Sequence, residues 1–192
     1  VMKFEKTKLP GVVVITPKIN GDARGYFAET FRHDLLENYL GYEICFVQDN
    51  ESKSSFGVLR GLHYQLPPFT QTKLVRVIKG RVLDIAVDIR KGASSFGEWV
   101  AVELSETNMK QLFVPRGFAH GFVVLSEEVI FSYKVDNYYS PECDRGIKYN
   151  DSTLNIDWLI DEDKLSLSQK DIILPAFSDA EYFNYNENYY AK

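Results

Sequence analysis

From about residue 44 to residue 135 the chain is a succession of short runs in which apolar and polar residues alternate, with Gly, Ser, Asn or Pro between them. Side chains on a strand alternate between two faces, so each run reads as a half-buried β-strand. Many such runs with turn signals between them restrict the chain to a β-sandwich or jelly roll. Residues 74–78 and 82–89 flank Gly80-Arg81 and predict a hairpin. Residues 122–125 and 129–135 flank Ser126-Glu127-Glu128 and predict another. Further strands are expected at 11–15, 99–104 and 112–114. Residues 20–26 read as a loop rich in Gly, Asn and Asp. Apolar residues at 35, 36, 39 and 40 followed by Gly41 predict a helix over 34–40 with a glycine C-cap. From about Ser168 the chain turns helical and then polar and Tyr/Asn-rich. The expected architecture is therefore mainly β with a few short peripheral helices. It forms one domain over 1–192, with its core at about 10–178 and a peripheral tail at 179–192.

Composition agrees and excludes several functions. Aromatic residues reach 14 %, with 13 Phe and 12 Tyr, which favours strands. A net charge of −5 makes the chain a poor match to nucleic acid phosphates. Only Cys45 and Cys143 are present, in no metal-type or disulfide spacing, as expected of free thiols in a reducing compartment. No apolar run nears the ~18 residues that span a bilayer, and no signal-peptide pattern opens the chain. These features predict a cytoplasmic protein that binds neither membrane nor nucleic acid.

Three histidines are available for chemistry. His33 stands at the start of the predicted helix, where a surface role suffices. His63 lies in G-V-L-R-G-L-H-Y-Q (57–65) and His120 in V-P-R-G-F-A-H-G-F (114–122). The spacing of Gly57 to His63, with the later Pro115, Gly117 and His120, resembles the two motifs of the cupin superfamily, double-stranded β-helical jelly rolls. Metal-binding cupins place a second His two residues after the first and a Glu shortly after that. Here that position is Gln65, a weak ligand, and no Glu follows, so no metal is expected. An imidazole that is not a ligand is suited to proton transfer near neutral pH. Tyr133 shares a strand face with Val129, Phe131 and Val135 and is expected to point inward. Strict alternation puts Arg60 and His63 on opposite faces, unless Gly61 marks a bulge.

The strings F-V-Q-D-N (46–50), G-V-L-R-G-L-H-Y-Q (57–65), K-L-V-R-V (73–77), V-D-I-R-K-G-A-S-S-F-G (87–97), P-R-G-F-A-H-G-F (115–122) and S-L-S-Q-K-D (166–171) together closely resemble the dTDP-4-dehydrorhamnose 3,5-epimerase family of the dTDP-L-rhamnose pathway. The resemblance runs from about residue 10 to 178. It implies an isomerase that inverts C3 and C5 of dTDP-4-dehydro-6-deoxy-D-glucose without cofactor, through an enolate. His63 is implied as general base, Asp171 as its orienting partner, Tyr133 as acid and Lys73 as enolate stabiliser, with Asp84 and His120 a second pair near the sugar. Arg24, Arg60 and Lys170 are implied at the diphosphate. Glu29, Gln48 and Asn50 are implied on the thymidine and sugar side, and Tyr139 and Phe27 against the base. Asp144 stands where relatives often carry Glu. Ser168-x-x-Asp171 also fits a capping box, so Asp171 has a rival, purely structural role. The family's homodimer, with N-terminal strands crossing to the partner, suggests that residues 24–29 reach the partner's pocket.

Other functions remain open on sequence. A C3-only epimerase or a 3,4-ketoisomerase of the same sugar class would use similar residues. A metal-dependent cupin is disfavoured by Gln65. A silent sugar-nucleotide-binding cupin would need neither an acid nor a base.

Overall fold

Alternation fixes which way each strand faces. In the computed structural model, which describes residues 1–191, it sorts the strands into two antiparallel sheets. One sheet has six strands: β1 (Lys3–Lys6), β2 (Val13–Thr16), β5 (Gln48–Ser55), β7 (Lys73–Lys79), β11 (Gln111–Val114) and β13 (Glu128–Val135), in the order β1-β2-β11-β7-β13-β5. The other has five: β6 (Leu59–Gln65), β8 (Arg81–Asp88), β10 (Trp99–Ser105), β12 (Phe118–Val124) and β14 (Asp144–Gly146), ordered β10-β8-β12-β6-β14. β3 (Ile19–Asp22) pairs only with β4 (Gly25–Ala28), and β9 (Arg90–Lys91) pairs in parallel with β15 (Phe183–Asn184). Helix α1 spans His33–Leu40 and helix α2 spans Gln169–Ile172.

Between the sheets lies a core of Val14, Val75, Val77, Val82, Ala86, Leu112, Phe122 and Phe131. The outer face of the five-stranded sheet is covered by the C-terminal third through Ile147, Leu154, Trp158 and Phe177. The outer face of the six-stranded sheet is partly covered by Leu36 of α1 and by Ile44. Burying this apolar surface supplies most of the drive to fold. α1 ends as the sequence predicts, with Gly41 in the left-handed region at φ 79 and its N–H donating to the Glu37 carbonyl. His33 opens α1, and its Nε2 lies 3.1 Å from Glu37 on the surface.

Two expectations about pairing are corrected. The strands on either side of Gly80-Arg81 are β7 and β8, and they lie in different sheets. β12 and β13, on either side of Ser126–Glu128, also lie in different sheets. Both reversals are corners that carry the chain across the sandwich, and they pack on each other. A Cβ on Gly80 would sit 2.1 Å from the Glu128 carbonyl oxygen, and the Arg81 N–H donates to Ser126 Oγ. Residues 20–26, expected as a loop, instead contribute to the β3–β4 hairpin. The segment after residue 179 lies outside the sandwich yet is docked. Phe183 is buried, and the Tyr190 hydroxyl is hydrogen-bonded to Thr72 Oγ1 and accepts from the Arg116 N–H. Among the described residues no helix is long and apolar enough to cross a membrane.

Candidate active site

Period two also determines where polar side chains interrupt the inter-sheet core. On β7 the inward positions are Lys73, Val75 and Val77; on β13 they are Val129, Phe131, Tyr133 and Val135. Cross-strand register puts Lys73 opposite Val135 and Tyr133 opposite Asn50 of β5. Facing them from the five-stranded sheet are Asp84 on β8, His120 on β12 and His63 on β6, with His63 directly opposite His120. The apolar core thus gives way, at one end of the sandwich, to a polar cavity between the two sheets.

Arg60 and His63 reach the same side because β6 carries a bulge. His120 pairs with His63 and Phe122 with Arg60, so three residue steps on β6 oppose two on β12. Gly61 makes this possible. Its φ is +126, and a Cβ there would lie 2.7 Å from Gly121 Cα and 2.8 Å from the His120 oxygen. Leu59, Leu62 and Tyr64 consequently all pack into the outer core.

Two hollows, of about 300 Å³ and 260 Å³, share His63, Lys73 and Tyr133 in their walls. Gln48, Asn50, Gln65, Gln71, Tyr139, Asp144 and Lys170 line the first. Arg60, His120, Phe122 and Phe131 line the second. A larger hollow of about 720 Å³ opens beside residues 6–13 and the end of α1, but its walls carry lysines and tyrosines without a carboxylate or histidine.

His63 Nε2 donates to Asp171 Oδ1 at 2.5 Å, and Asp171 is almost fully buried. Burial pushes the Asp171 carboxyl up, but the His63 hydrogen bond and charge outweigh it and hold the group below its ordinary value. The rival capping role is only half present: the Asp171 backbone N–H donates to Ser168 Oγ, while the carboxylate turns to His63. His120 Nε2 meets both oxygens of Asp84 at 2.9 and 3.0 Å. Burial raises the Asp84 carboxyl against the pull of His120 and Lys73. For Lys73, burial drives the ammonium down to about 8, opposed by Asp144 and Asp84. Burial also raises the Tyr133 phenol, with Arg60 pulling the other way, so the ring holds its proton at neutral pH. Arg60 donates to Ser54 Oγ from Nε and Nη2. Lys170 is ion-paired with Asp144, whose Oδ2 also accepts from the Tyr139 hydroxyl at 3.0 Å.

Twelve of the fifteen residues singled out in the sequence thus lie on this cavity or are bonded to its lining. The other three, Arg24, Phe27 and Glu29, belong to the β3–β4 segment and lie away from it. Arg24 pairs with Asp22, Glu29 with Arg32, and Phe27 is 68 % exposed. Sequence reasoning missed Gln71 and the part played by Gln65. The alternation Gln48, Asn50, Ser52, Ser54 along β5 was a direct signal of a polar inner face. Among the described residues no three His, Cys, Asp or Glu side chains converge to hold a metal ion. Gln65 has its amide engaged with backbone groups.

Residues 6–179 match the family model described as dTDP-4-dehydrorhamnose 3,5-epimerase. A Shigella flexneri protein of that name is 51 % identical over 182 residues, covering 95 % of this chain and 99 % of the relative. A crystal structure of the enzyme from Elizabethkingia anophelis superposes with a TM-score of 0.91 at 51 % identity, covering 94 % and 99 % of the two chains. The dTDP-6-deoxy-D-glucose-3,5-epimerase from Legionella pneumophila, solved in complex with dTDP-4-keto-L-rhamnose, gives a TM-score of 0.93 at 45 % identity over 97 % of this chain and 100 % of that one.

Proposed function

This chain belongs to the dTDP-4-dehydrorhamnose 3,5-epimerase family, and we propose that its cavity performs the family's reaction with His63 as base and Tyr133 as acid. The reaction inverts C3 and C5 of dTDP-4-dehydro-6-deoxy-D-glucose and yields dTDP-4-dehydro-L-rhamnose. Both carbons flank the C4 ketone, so loss of either proton gives an enolate. His63 takes the proton at Nδ1, since Nε2 is committed to Asp171. Asp171 fixes that tautomer and stabilises the imidazolium that forms. The Lys73 ammonium borders both hollows with acid and base and steadies the enolate oxygen as a fixed positive charge. Tyr133 then delivers its phenolic proton to the opposite face of the carbon. His63 and Tyr133 exchange protons with water before the second carbon repeats the cycle.

The observation that carries this division of labour is the placement of base and acid on facing sheets of one cavity, His63 on β6 and Tyr133 on β13. Removal from one side and return from the other is what inversion requires. The diphosphate falls to Arg60 and Lys170, whose cationic groups suit phosphate oxygens. Sugar and thymidine contacts fall to Gln48, Asn50, Asp144, Asp84, His120 and Tyr139. Wild-type turnover in deuterated water is expected to place deuterium at both C3 and C5. Label at neither carbon, or at C3 alone, would contradict the assignment.

Arg24, Phe27 and Glu29 enter this scheme through a second copy of the chain. We propose a homodimer in which the N-terminal region carrying the β3–β4 hairpin reaches the partner's cavity. The hairpin pairs with neither main sheet, and Tyr26 and Phe27 at 67 % and 68 % exposure leave an aromatic surface that supports this reading. The free thiols of Cys45 and Cys143 support a cytoplasmic setting.

A further inference from the structure

We infer that Gln65 is a positioning residue that ties together the two loops at the cavity rim, and so sets Tyr139 for nucleotide-sugar binding without sharing in proton transfer. Gln65 ends β6, two residues after His63, and is 3 % exposed. Every hydrogen-bonding group of its amide is used. Nε2 donates to the Phe69 carbonyl at 2.6 Å and to the Tyr138 carbonyl at 3.2 Å, and Oε1 accepts from the Ser140 N–H at 2.8 Å. The first partner lies in the loop between β6 and β7, the other two in the loop between β13 and β14. Further links join the same two loops: the Leu66 N–H donates to the Cys143 carbonyl at 2.9 Å and the Thr72 N–H to Asp136 Oδ1 at 2.6 Å. Asn137 Nδ2 donates to the carbonyls of Pro68 and Thr70, and Gln71 Nε2 donates to the Asn137 carbonyl.

The second loop carries Tyr139 between the two backbone groups held by Gln65, and Tyr139 lines the cavity. No other residue type of this size serves both loops. A carboxylate would bring acceptors against two carbonyl oxygens, and a neutral imidazole offers one donor where two are used. A buried amide with three partners is costly to disrupt, so the rim is held firmly in one arrangement. This inference rests on Tyr139 contacting the nucleotide, as proposed above.

The test is Gln65→Glu, with dTDP binding measured by calorimetry and steady-state kinetics on the dTDP-keto-sugar. The expected result is a rise of about tenfold or more in both Kd and KM with kcat within about threefold, a pattern of lost binding with intact chemistry. The rise should vanish in a Tyr139→Ala background, because coupled residues are not additive. Unchanged Kd and KM, a fall in kcat at constant KM, or an undiminished effect in the Tyr139→Ala background would each overturn the inference. If Gln65→Glu does not fold, Gln65→Met removes the three amide hydrogen bonds without adding charge and is expected to raise KM in the same way; an unchanged KM would overturn the inference. Tyr139→Ala alone separates the two readings. If it leaves the Kd of dTDP unchanged, the nucleotide contact is wrong. If it weakens dTDP while Gln65→Glu does not, the contact stands and the loop tie is wrong.

Discussion

Replacing Lys73 by Met should cripple the enzyme and stabilise the fold. The Lys73 stem leaves a β7 position whose neighbours Val75 and Val77 are core residues, and the ammonium lies within the cavity. Burial drives its pKa from 10.5 to about 8. A protonated group whose pKa is lower folded than unfolded penalises the folded state, fully so below the folded value. The penalty is relieved as pH rises from about 8 to 10.5. At roughly 1.4 kcal/mol per pH unit, that interval corresponds to about 3 kcal/mol. Water reaching the partly open head group reduces it, and about 1.5 kcal/mol is a reasonable expectation. Methionine fills nearly the same volume without charge. For a domain of this size the gain is about 3–6 °C in Tm at pH 7. Calorimetry at pH 7 and pH 10 checks both magnitude and sign: the difference between Lys73→Met and wild type should shrink at the higher pH. Turnover should fall by roughly a hundredfold or more, as when an oxyanion partner is removed. A Lys73→Met protein that melts no higher than wild type would refute the buried-cation reasoning, and one that turns over normally would refute the enolate role.

Further expectations concern the dyad, the bulge and the hairpin. Asp171→Asn should lower kcat by about 10²–10⁴, as loss of an orienting carboxylate does elsewhere. Because the Asp171 carboxyl is held below its ordinary 3.8, its stabilising effect is fully present above 3.8 and is lost as pH falls from there through the lower folded-state value, so acid melting should be steeper for wild type than for Asp171→Asn. Gly61→Ala forces a side chain into the Gly121 and His120 backbone at a strained φ. It should cost more than about 2 kcal/mol in urea unfolding, whereas a near-neutral result would show that the bulge relaxes. Arg24→Ala should weaken dTDP binding by about tenfold, the loss expected of a charged hydrogen bond, although Arg24 does not line its own chain's cavity and pairs with Asp22. An unchanged Kd in a dimeric protein would argue against the hairpin crossing to the partner.

Much of this arrangement was legible in the sequence, because period-two alternation states which side chains share a face. Tyr133 inward with Phe131 and the strand positions of His63, His120 and Lys73 follow from it. Alternation does not say which strands are neighbours. Gly80-Arg81 and Ser126–Glu128 have the chemistry of hairpin turns, yet each is a corner between sheets, and only the packing of the two corners on one another distinguishes them. The bulge at Gly61 was open as one of two alternatives, since glycine permits a bulge without requiring it. Contact between His63 and Asp171 spans 108 residues and was beyond any local pattern. Gln65 was visible only as a missing metal ligand, because its partners are carbonyls and an N–H of distant loops, which no side-chain motif records.

The central claim, that a base on one sheet and an acid on the other work across a single sugar, is tested most directly by Tyr133→Phe in deuterated water. With His63 intact and the opposing proton source removed, the account predicts that deuterium enters the sugar at the carbon beside the ketone with its configuration retained, while inversion nearly stops. Inversion at an undiminished rate, or a complete absence of exchange, would contradict it.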